Sequence, residues 1–289
     1  MNLEKKIGCI IVLYNPDVPM LFEILNEISE QVSTVYIVDN STIDSHLDFS
    51  NYTNVIFEKL GGNIGIASAQ NIGLNFFKDY DYIIFLDQDS IPSKNLVQTL
   101  LKNYLFLLGE NIDVGAVGPR PFNRSKNTKY EGSIKKGNRL YDNITEVTEL
   151  ISSSSLIAVK NFNIVGLLED DLFIDAVDHE WCWRAKSIAN YRFFIIEDVF
   201  LSHQLGEGDK KFLGISVYIP APIRTYYQSR NYIVLLNRNY VPIYWKFSNG
   251  IKYFIKYFYY LFFVKDGVKY IKYMSKGVYD GFKKKKGSI

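Results

Sequence analysis

Cysteine is nearly absent from this 289-residue chain, and its two copies, Cys9 and Cys182, stand apart, one in an apolar run and one between two tryptophans. That excludes a disulfide framework and a cysteine-based metal cluster, and it fits a reducing cytoplasm. A membrane-spanning segment is missing too: the longest uncharged run of the aromatic tail, Tyr257 to Val264, falls far short of the roughly 20 residues a bilayer requires. Lys5-Lys6 followed by Ile7 to Leu13 has the look of a signal peptide, but the run is short and leads into Asn15-Pro16 rather than a cleavage site. It reads as a first strand. No internal repeat is present, and low complexity is confined to Ser152 to Ser155 and Lys283 to Lys286.

What is abundant is aromatic: 22 Tyr and 20 Phe lift the aromatic share to 16%, against an ordinary 47% hydrophobic and 22% charged composition. The net charge of +2 conceals an asymmetry. Residues 246 to 289 carry eleven Lys against Asp266 and Asp280, a net of +9, which leaves −7 for the rest. An acidic body with a basic, Tyr/Phe-rich tail suits an enzyme that visits an anionic surface, a bilayer before a nucleic acid. In the tail, Tyr253, Phe254, Tyr257 to Tyr260, Phe262 and Phe263 alternate with lysines, and Lys265, Lys269, Lys272 and Lys276 recur at helical spacing. The expectation is a pair of in-plane amphipathic helices over 241–289, with a hairpin packed on the body or on another subunit as the alternative.

The first half alternates β-branched runs, Ile7 to Leu13, Val35 to Asp39, Val55 to Lys59 and Tyr82 to Asp87, with helical patterns at Val18 to Glu30, Ile66 to Phe77 and Leu96 to Leu108. This predicts an α/β fold with a mostly parallel sheet, the α/β domain occupying residues 1–240. Pro119 to Thr148, rich in Arg, Lys, Asn and Gly, reads as an irregular excursion over the site. Patterning resumes over Leu150 to Val159 and Phe173 to Val177, with a helix from about His179 to Ala189 and a strand at Arg192 to Glu197.

Open α/β sheets bind ligands beyond the carboxyl ends of their strands, and the polar residues gather there. Tyr14-Asn15-Pro16, Asp39-Asn40-Ser41, Gly61-Gly62-Asn63-Ile64-Gly65 and Asp87-Gln88-Asp89-Ser90 each follow a strand. Asp87 and Asp89 place two carboxylates on one turn, a donor set for a hard divalent cation that leaves positions open for phosphate oxygens; a helix-capping turn is the plainer alternative. Asp39 is either a ligand contact or a turn-forming Asx residue. The glycine loop is not the dinucleotide fingerprint, which argues against a dehydrogenase. A nucleotidyltransferase would need a basic, Gly-rich loop after the first strand, and Tyr14 to Asp17 offers none. Arg224 and Arg230 are candidates for bidentate neutralisation of a diphosphate.

Ile7 to Asn15, the turn Val38-Asp39-Asn40-Ser41, Asn63-x-Gly65 with Asn71-x-Gly73, Asp87-Gln88-Asp89 and the acidic segment Glu169 to Arg184 together resemble a family 2 glycosyltransferase of GT-A fold, over about Ile7 to Asn231. Gln88 with the following Ser resembles the bacterial rhamnosyltransferase subgroup. The resemblance implies that Asp89 binds Mg²⁺ or Mn²⁺, that Asp87 contacts the metal or ribose, and that Asp39 bonds the pyrimidine. It also implies that Tyr14, Asn71 and Gln88 line the nucleotide and that His203, in a His-x-Leu-Gly context, completes the metal site. An Asp just before a helix would be the general base, which on position is Asp178, with Asp175 as second candidate and Glu180 in support; Asp178 as a plain helix cap is the alternative. The implied reaction is inverting transfer of a sugar, L-rhamnose from dTDP-L-rhamnose, to a growing surface polysaccharide or polyprenyl-linked glycan at the inner membrane surface. Use of a UDP-hexose is the rival within enzymes. An inactive membrane-attached scaffold is the rival outside them. The chain lacks the Gln-x-x-Arg-Trp motif of processive synthases, which favours adding one or a few sugars.

Overall fold

The computed structural model describes residues 5–123, 128–129, 137–203, 210–212, 215–217 and 219–289. The first half runs β1 (Ile7–Leu13), α1 (Val18–Ile28), β2 (Thr34–Asp39), β3 (Val55–Lys59), α2 (Ile66–Phe76), β4 (Tyr82–Asp87), β5 (Ser90–Pro92) and α3 (Leu96–Gly109). Then come β6 (Val114–Asn123), β7 (Thr128–Lys129), β8 (Asn138–Tyr141), β9 (Ile144–Val147), β10 (Leu156–Ala158), α4 (Val159–Val165), a 3-10 turn at Asp170–Leu172 and α5 (Val177–Ala189). The chain ends with β11 (Arg192–His203), β12 (Lys210–Phe212), β13 (Ile215–Val217), α6 (Pro222–Leu236), α7 (Ile243–Phe263) and α8 (Gly267–Phe282).

The first four long strands are parallel, in the order β3-β2-β1-β4. Apolar residues fill both faces of β1 because a helix layer covers each side. Cys9, Ile11 and Leu13 meet the apolar stripes of α1 and α3, while Ile10 points the other way, toward α2, α4 and α5. Asp17 caps α1 by accepting from the Met20 amide at 3.1 Å. Both cysteines are free and buried, and burial pushes their thiol pKa values up, so neither is a reactive nucleophile. Beyond β4 the sheet turns mixed: β10 runs antiparallel between β4 and β6, β6 lies parallel to β11, and β9 and β8 close the edge.

Two stretches differ from the sequence reading. Pro119 to Thr148 is partly regular: β6 carries on to Asn123, and β8 with β9 forms a hairpin held to β11 by Arg192, whose Nε and Nη2 donate to Glu146 at 2.9 and 2.6 Å. Sheet pairing there outweighs the polar composition. Within that stretch Arg124, Lys126, Lys135 and Lys136 lie outside the described residues. Phe173 to Val177 is not a strand, because Phe173, Asp175 and Ala176 all have φ near +65°.

The C-terminal helices divide their roles. Helix α8 lies against α6 through glycines: a Cβ on Gly281 would sit 2.7 Å from Ile233 Cβ, and one on Gly277 would meet the Tyr226 carbonyl. At this contact Asp280 accepts from the Tyr226 hydroxyl and from Lys276 Nζ, each at 2.9 Å. Lys276 first, then Tyr226, holds the Asp280 carboxyl below the usual carboxylate range. A carboxyl with a lowered folded pKa stabilises fully above its unfolded value, about 3.9, and the contribution fades as pH falls through the lower folded value. The gap in melting temperature between wild type and Asp280→Asn should therefore be widest near neutrality and close below about pH 4. A gap that does not change with pH would show that the charge of Asp280 is not what seats α8.

Candidate active site

Leu13 pairs with Asp39 and Val12 with Asp87, so the loops after β1, β2 and β4 start side by side at one edge. Side chains lace them together. The Tyr14 amide donates to Gln88 Oε1 at 2.8 Å and Gln88 Nε2 returns a bond to the Tyr14 carbonyl at 3.1 Å, so both amide ends of Gln88 brace the Tyr14 turn. The Asn15 amide donates to Ser41 Oγ at 2.8 Å. Asn40 and Asn63 interlock, Asn40 Nδ2 donating to Asn63 Oδ1 and Asn40 Oδ1 accepting from the Ile64 amide. Asp39 is buried, and its Oδ1 accepts from the Ser41 amide at 3.0 Å, which is the Asx geometry weighed from the sequence. Tyr14 is exposed at the rim.

Asp87 and Asp89 close β4, and both are partly accessible. The serine run, passed over in the sequence as low complexity, turns out to be the neighbour that matters. Ser153 lies beside Phe85 as a short parallel extension of the sheet, the Ser154 amide donates to the Phe85 carbonyl at 2.6 Å, and the Asp87 amide donates to Ser153 Oγ at 3.2 Å. One residue back, the Ser152 amide donates to Asp178 Oδ2 at 3.3 Å. Adjacent serines therefore hold the acidic turn and the proposed base. A run of small hydroxyl residues just before an apolar strand was the available sequence signal.

Asp178 does not cap its helix. The N-cap of α5 is Ala176 in the left-handed region, and Asp178 sits in the first turn, accepting from the Ser152 amide and from its neighbour His179 at 2.8 Å. Asp175 is differently placed: Arg224 Nε donates to both of its oxygens at 3.1 Å and Nη2 to Oδ1 at 2.8 Å, an ion pair that makes it the poorer base. Glu180 is completely buried, accepting from Arg184 Nε at 2.8 Å, Arg184 Nη2 at 3.0 Å and the Tyr240 hydroxyl at 2.7 Å. Its support is structural, because Arg184 also donates to the Val165 and Leu167 carbonyls and ties α5 to the end of α4.

Left-handed backbone collects around this crevice: Asn15, Ser154, Phe173, Asp175 and Ala176 all have positive φ. Such residues cost on the order of 1–3 kcal/mol each and persist only where their surroundings fix them. For the segment before α5, Arg230 and Asn231 supply much of that fixing. Arg230 is 0% exposed and donates to the carbonyls of Asp171, Leu172 and Gly287, while Asn231 Nδ2 donates to those of Leu172, Ile174 and Asp175 at 3.0, 2.7 and 3.0 Å. The expectation that Arg230 neutralises a diphosphate is thus revised: its guanidinium is spent on backbone oxygens below the surface. Asn71 is likewise turned away from a nucleotide, bonding the Leu168 carbonyl and amide at 2.9 and 3.0 Å. Gly65 (φ 92) lets the start of α2 reach the same segment; the Ile66 amide donates to the Phe173 carbonyl at 2.8 Å, and a Cβ on Gly65 would lie 2.8 Å from that oxygen.

His203 is described through its backbone, which pairs with Ser90, next to Asp89; its side chain and Gln204 to Gly206 lie outside the described residues. Among the described residues no cluster of three His, Cys, Asp or Glu side chains is assembled. The donor set at β4, two carboxylates on alternate residues of one accessible turn, does fit a hard divalent cation that keeps sites for phosphate.

The profile described as Glycosyl transferase family 2 matches residues 9–158, from β1 through β10, and so takes in the acidic turn and the serine run. The chain is 35% identical over 255 residues to the dTDP-rhamnosyl transferase RfbF of Shigella flexneri, covering 83% of each protein. Among solved structures it is similar to GalNAc-T7 with UDP, GalNAc and Mn²⁺ at TM-score 0.60 and 14% identity, covering 96% of this chain and 55% of that one. It is similar also to S. aureus TarS 1-349 in complex with UDP-GlcNAc at TM-score 0.56 and 18% identity, covering 96% and 81%. Against the longer TarS structure the chain spans 40% of that protein's length. The structural neighbours share the GT-A architecture, and the sequence matches carry the assignment further: this chain belongs to the family 2 glycosyltransferases.

Proposed function

We propose that this glycosyltransferase moves L-rhamnose from dTDP-L-rhamnose, with inversion, onto a growing bacterial surface glycan carried by a polyprenyl lipid. The observation that carries the reading is the serine junction, at which Ser153 holds Asp87 and Ser152 holds Asp178. It supports the reading because it ties the turn of Asp87 to the peptide that bonds Asp178. The name of the RfbF relative supports the donor.

In this reading Tyr14, Asp39 and Gln88 border the nucleotide, with Arg224 at the rim. Asp87 and Asp89, with His203, would hold Mg²⁺ or Mn²⁺, which when bound neutralises the charge gathering on the leaving diphosphate. Asp178 takes the proton from the acceptor hydroxyl while that oxygen attacks the anomeric carbon from the face opposite the diphosphate. Arg230 and Asn231 keep the segment before Asp178 in its one conformation. Residues 1–240 form the catalytic unit and 241–289 an accessory one.

The test is a donor panel of dTDP-L-rhamnose, UDP-galactose, UDP-glucose and UDP-N-acetylglucosamine, with released diphosphate as readout and Mg²⁺ or Mn²⁺ present. dTDP-L-rhamnose should be the preferred substrate. Preference for a UDP-sugar would overturn the donor assignment, and release from none would overturn the catalytic reading.

A further inference from the structure

Helix α7 faces opposite to an ordinary surface helix. Its inward side is aromatic, with Trp245 buried against Trp183 of α5 and Leu235 of α6 and Tyr260 against Tyr270 of α8, whereas its outward side is dominated by aliphatic and phenyl side chains. Phe247, Ile251, Phe254, Ile255, Phe258 and Phe262 fall on that outward face at helical spacing, and Phe247, Phe254 and Phe262 are 69%, 67% and 69% exposed. The face runs most of the roughly 30 Å of a 21-residue helix. No helix among the described residues is long and apolar enough to cross a membrane.

The charge of the same hairpin says what covers this face. Nine exposed lysines lie between residues 252 and 286; Lys276 and Lys285 pair with Asp280 and Lys286 with Asp171, and the hairpin's one other acidic residue is Asp266, so it keeps a large basic excess. A second copy would bring another strongly basic tail against the first and meet like charge. A bilayer containing anionic lipid answers both the apolar face and the lysines.

We propose that α7 is a membrane-docking helix, lying in the plane of an anionic bilayer with its Phe/Ile face at the acyl boundary and the lysines of the hairpin over the phosphates. Docking there also orients the site. Trp245 at the start of α7 packs on Trp183 of α5 with ring centroids 5.0 Å apart. Tyr244 and Trp183 both donate to Glu149 Oε2, at 2.9 and 3.1 Å. Trp183 stands in the helix that carries Asp178, so the plane of α7 fixes the height of the base above the lipid surface. This last link rests on the lipid-carried acceptor proposed above; the docking itself does not.

The experiment is co-sedimentation of the full chain with vesicles of phosphatidylcholine alone and with vesicles in which about a third of the lipid is phosphatidylglycerol. Wild type should bind the anionic vesicles, ignore the zwitterionic ones and detach as salt rises from about 50 to about 500 mM. The triple variant Phe254→Ser, Phe258→Ser, Phe262→Ser should lose at least about tenfold in binding while its melting temperature and diphosphate release stay at wild-type levels. Undiminished binding by this variant, or no binding by wild type, overturns the proposal. A wild-type dimer in analytical ultracentrifugation that the triple variant splits would assign the face to a second copy instead. Binding is read without any nucleotide sugar, so an error in the donor assignment leaves the outcome untouched.

Discussion

Asp178→Asn should lower sugar transfer by about 10² to 10⁴, the usual contribution of a positioned general base, while the protein still folds and still binds nucleotide. The substitution is isosteric, and the two bonds at stake come from backbone amides, Ser152 and His179, so the change in stability should stay within about 1 kcal/mol. Asparagine cannot accept the proton, and no neighbour replaces it: Asp175 is clamped by Arg224, and Glu180 is sealed between Arg184 and Tyr240. Transfer rates are to be compared with the shift in melting temperature caused by the nucleoside diphosphate. Full turnover in the variant would remove Asp178 from the chemistry, and loss of the nucleotide shift would place it on the donor side instead.

Arg230→Met should cost several kcal/mol of stability and most of the activity, although Arg230 touches neither substrate in the proposed mechanism. Removing a buried cation strands the carbonyls it serves, and each unsatisfied buried group costs about 1–3 kcal/mol. The carbonyls of Asp171 and Leu172 belong to the stretch that leads into the left-handed residues before α5. Arg230→Lys should rescue little, since an ammonium cannot reproduce the planar fork that reaches Asp171, Leu172 and Gly287 together. Denaturant unfolding gives the stability. At a temperature where both forms are folded, kcat should fall more than nucleotide affinity. An equal loss of both would reduce Arg230 to a general stabiliser.

The first half of the fold was legible because its signals are local. β-branched runs of five to seven residues and apolar residues at helical spacing place β1, β3 and β4 at the bounds the sequence suggests, and α1 to α3 within two residues or so. The acidic turn was legible for the same reason, standing at the end of an apolar strand. The segment before α5 was not. Nothing in Phe173, Asp175 or Ala176 announces positive φ, and much of what holds it comes from residues distant in sequence, Ile66, Arg224, Arg230 and Asn231. Arg230 was misassigned on the same account, because an arginine bound to backbone oxygens and one bound to phosphate look alike in a sequence. For the tail the sequence left two readings open, in-plane helices or a packed hairpin, and the glycine contacts show that α8 packs on α6 while α7 keeps an exposed apolar face.

In the proposed mechanism the serine junction couples the donor side to the acceptor side. Asp87 and Asp178 hang on consecutive residues of one short sheet extension, so a donor that steadies Asp87 also steadies the peptide that holds Asp178. Linkage makes the benefit mutual: whatever factor the donor adds to acceptor affinity, the acceptor adds to donor affinity. In the proposed mechanism two substrates that never share a side chain thus come to share the peptide of Ser152 and Ser153.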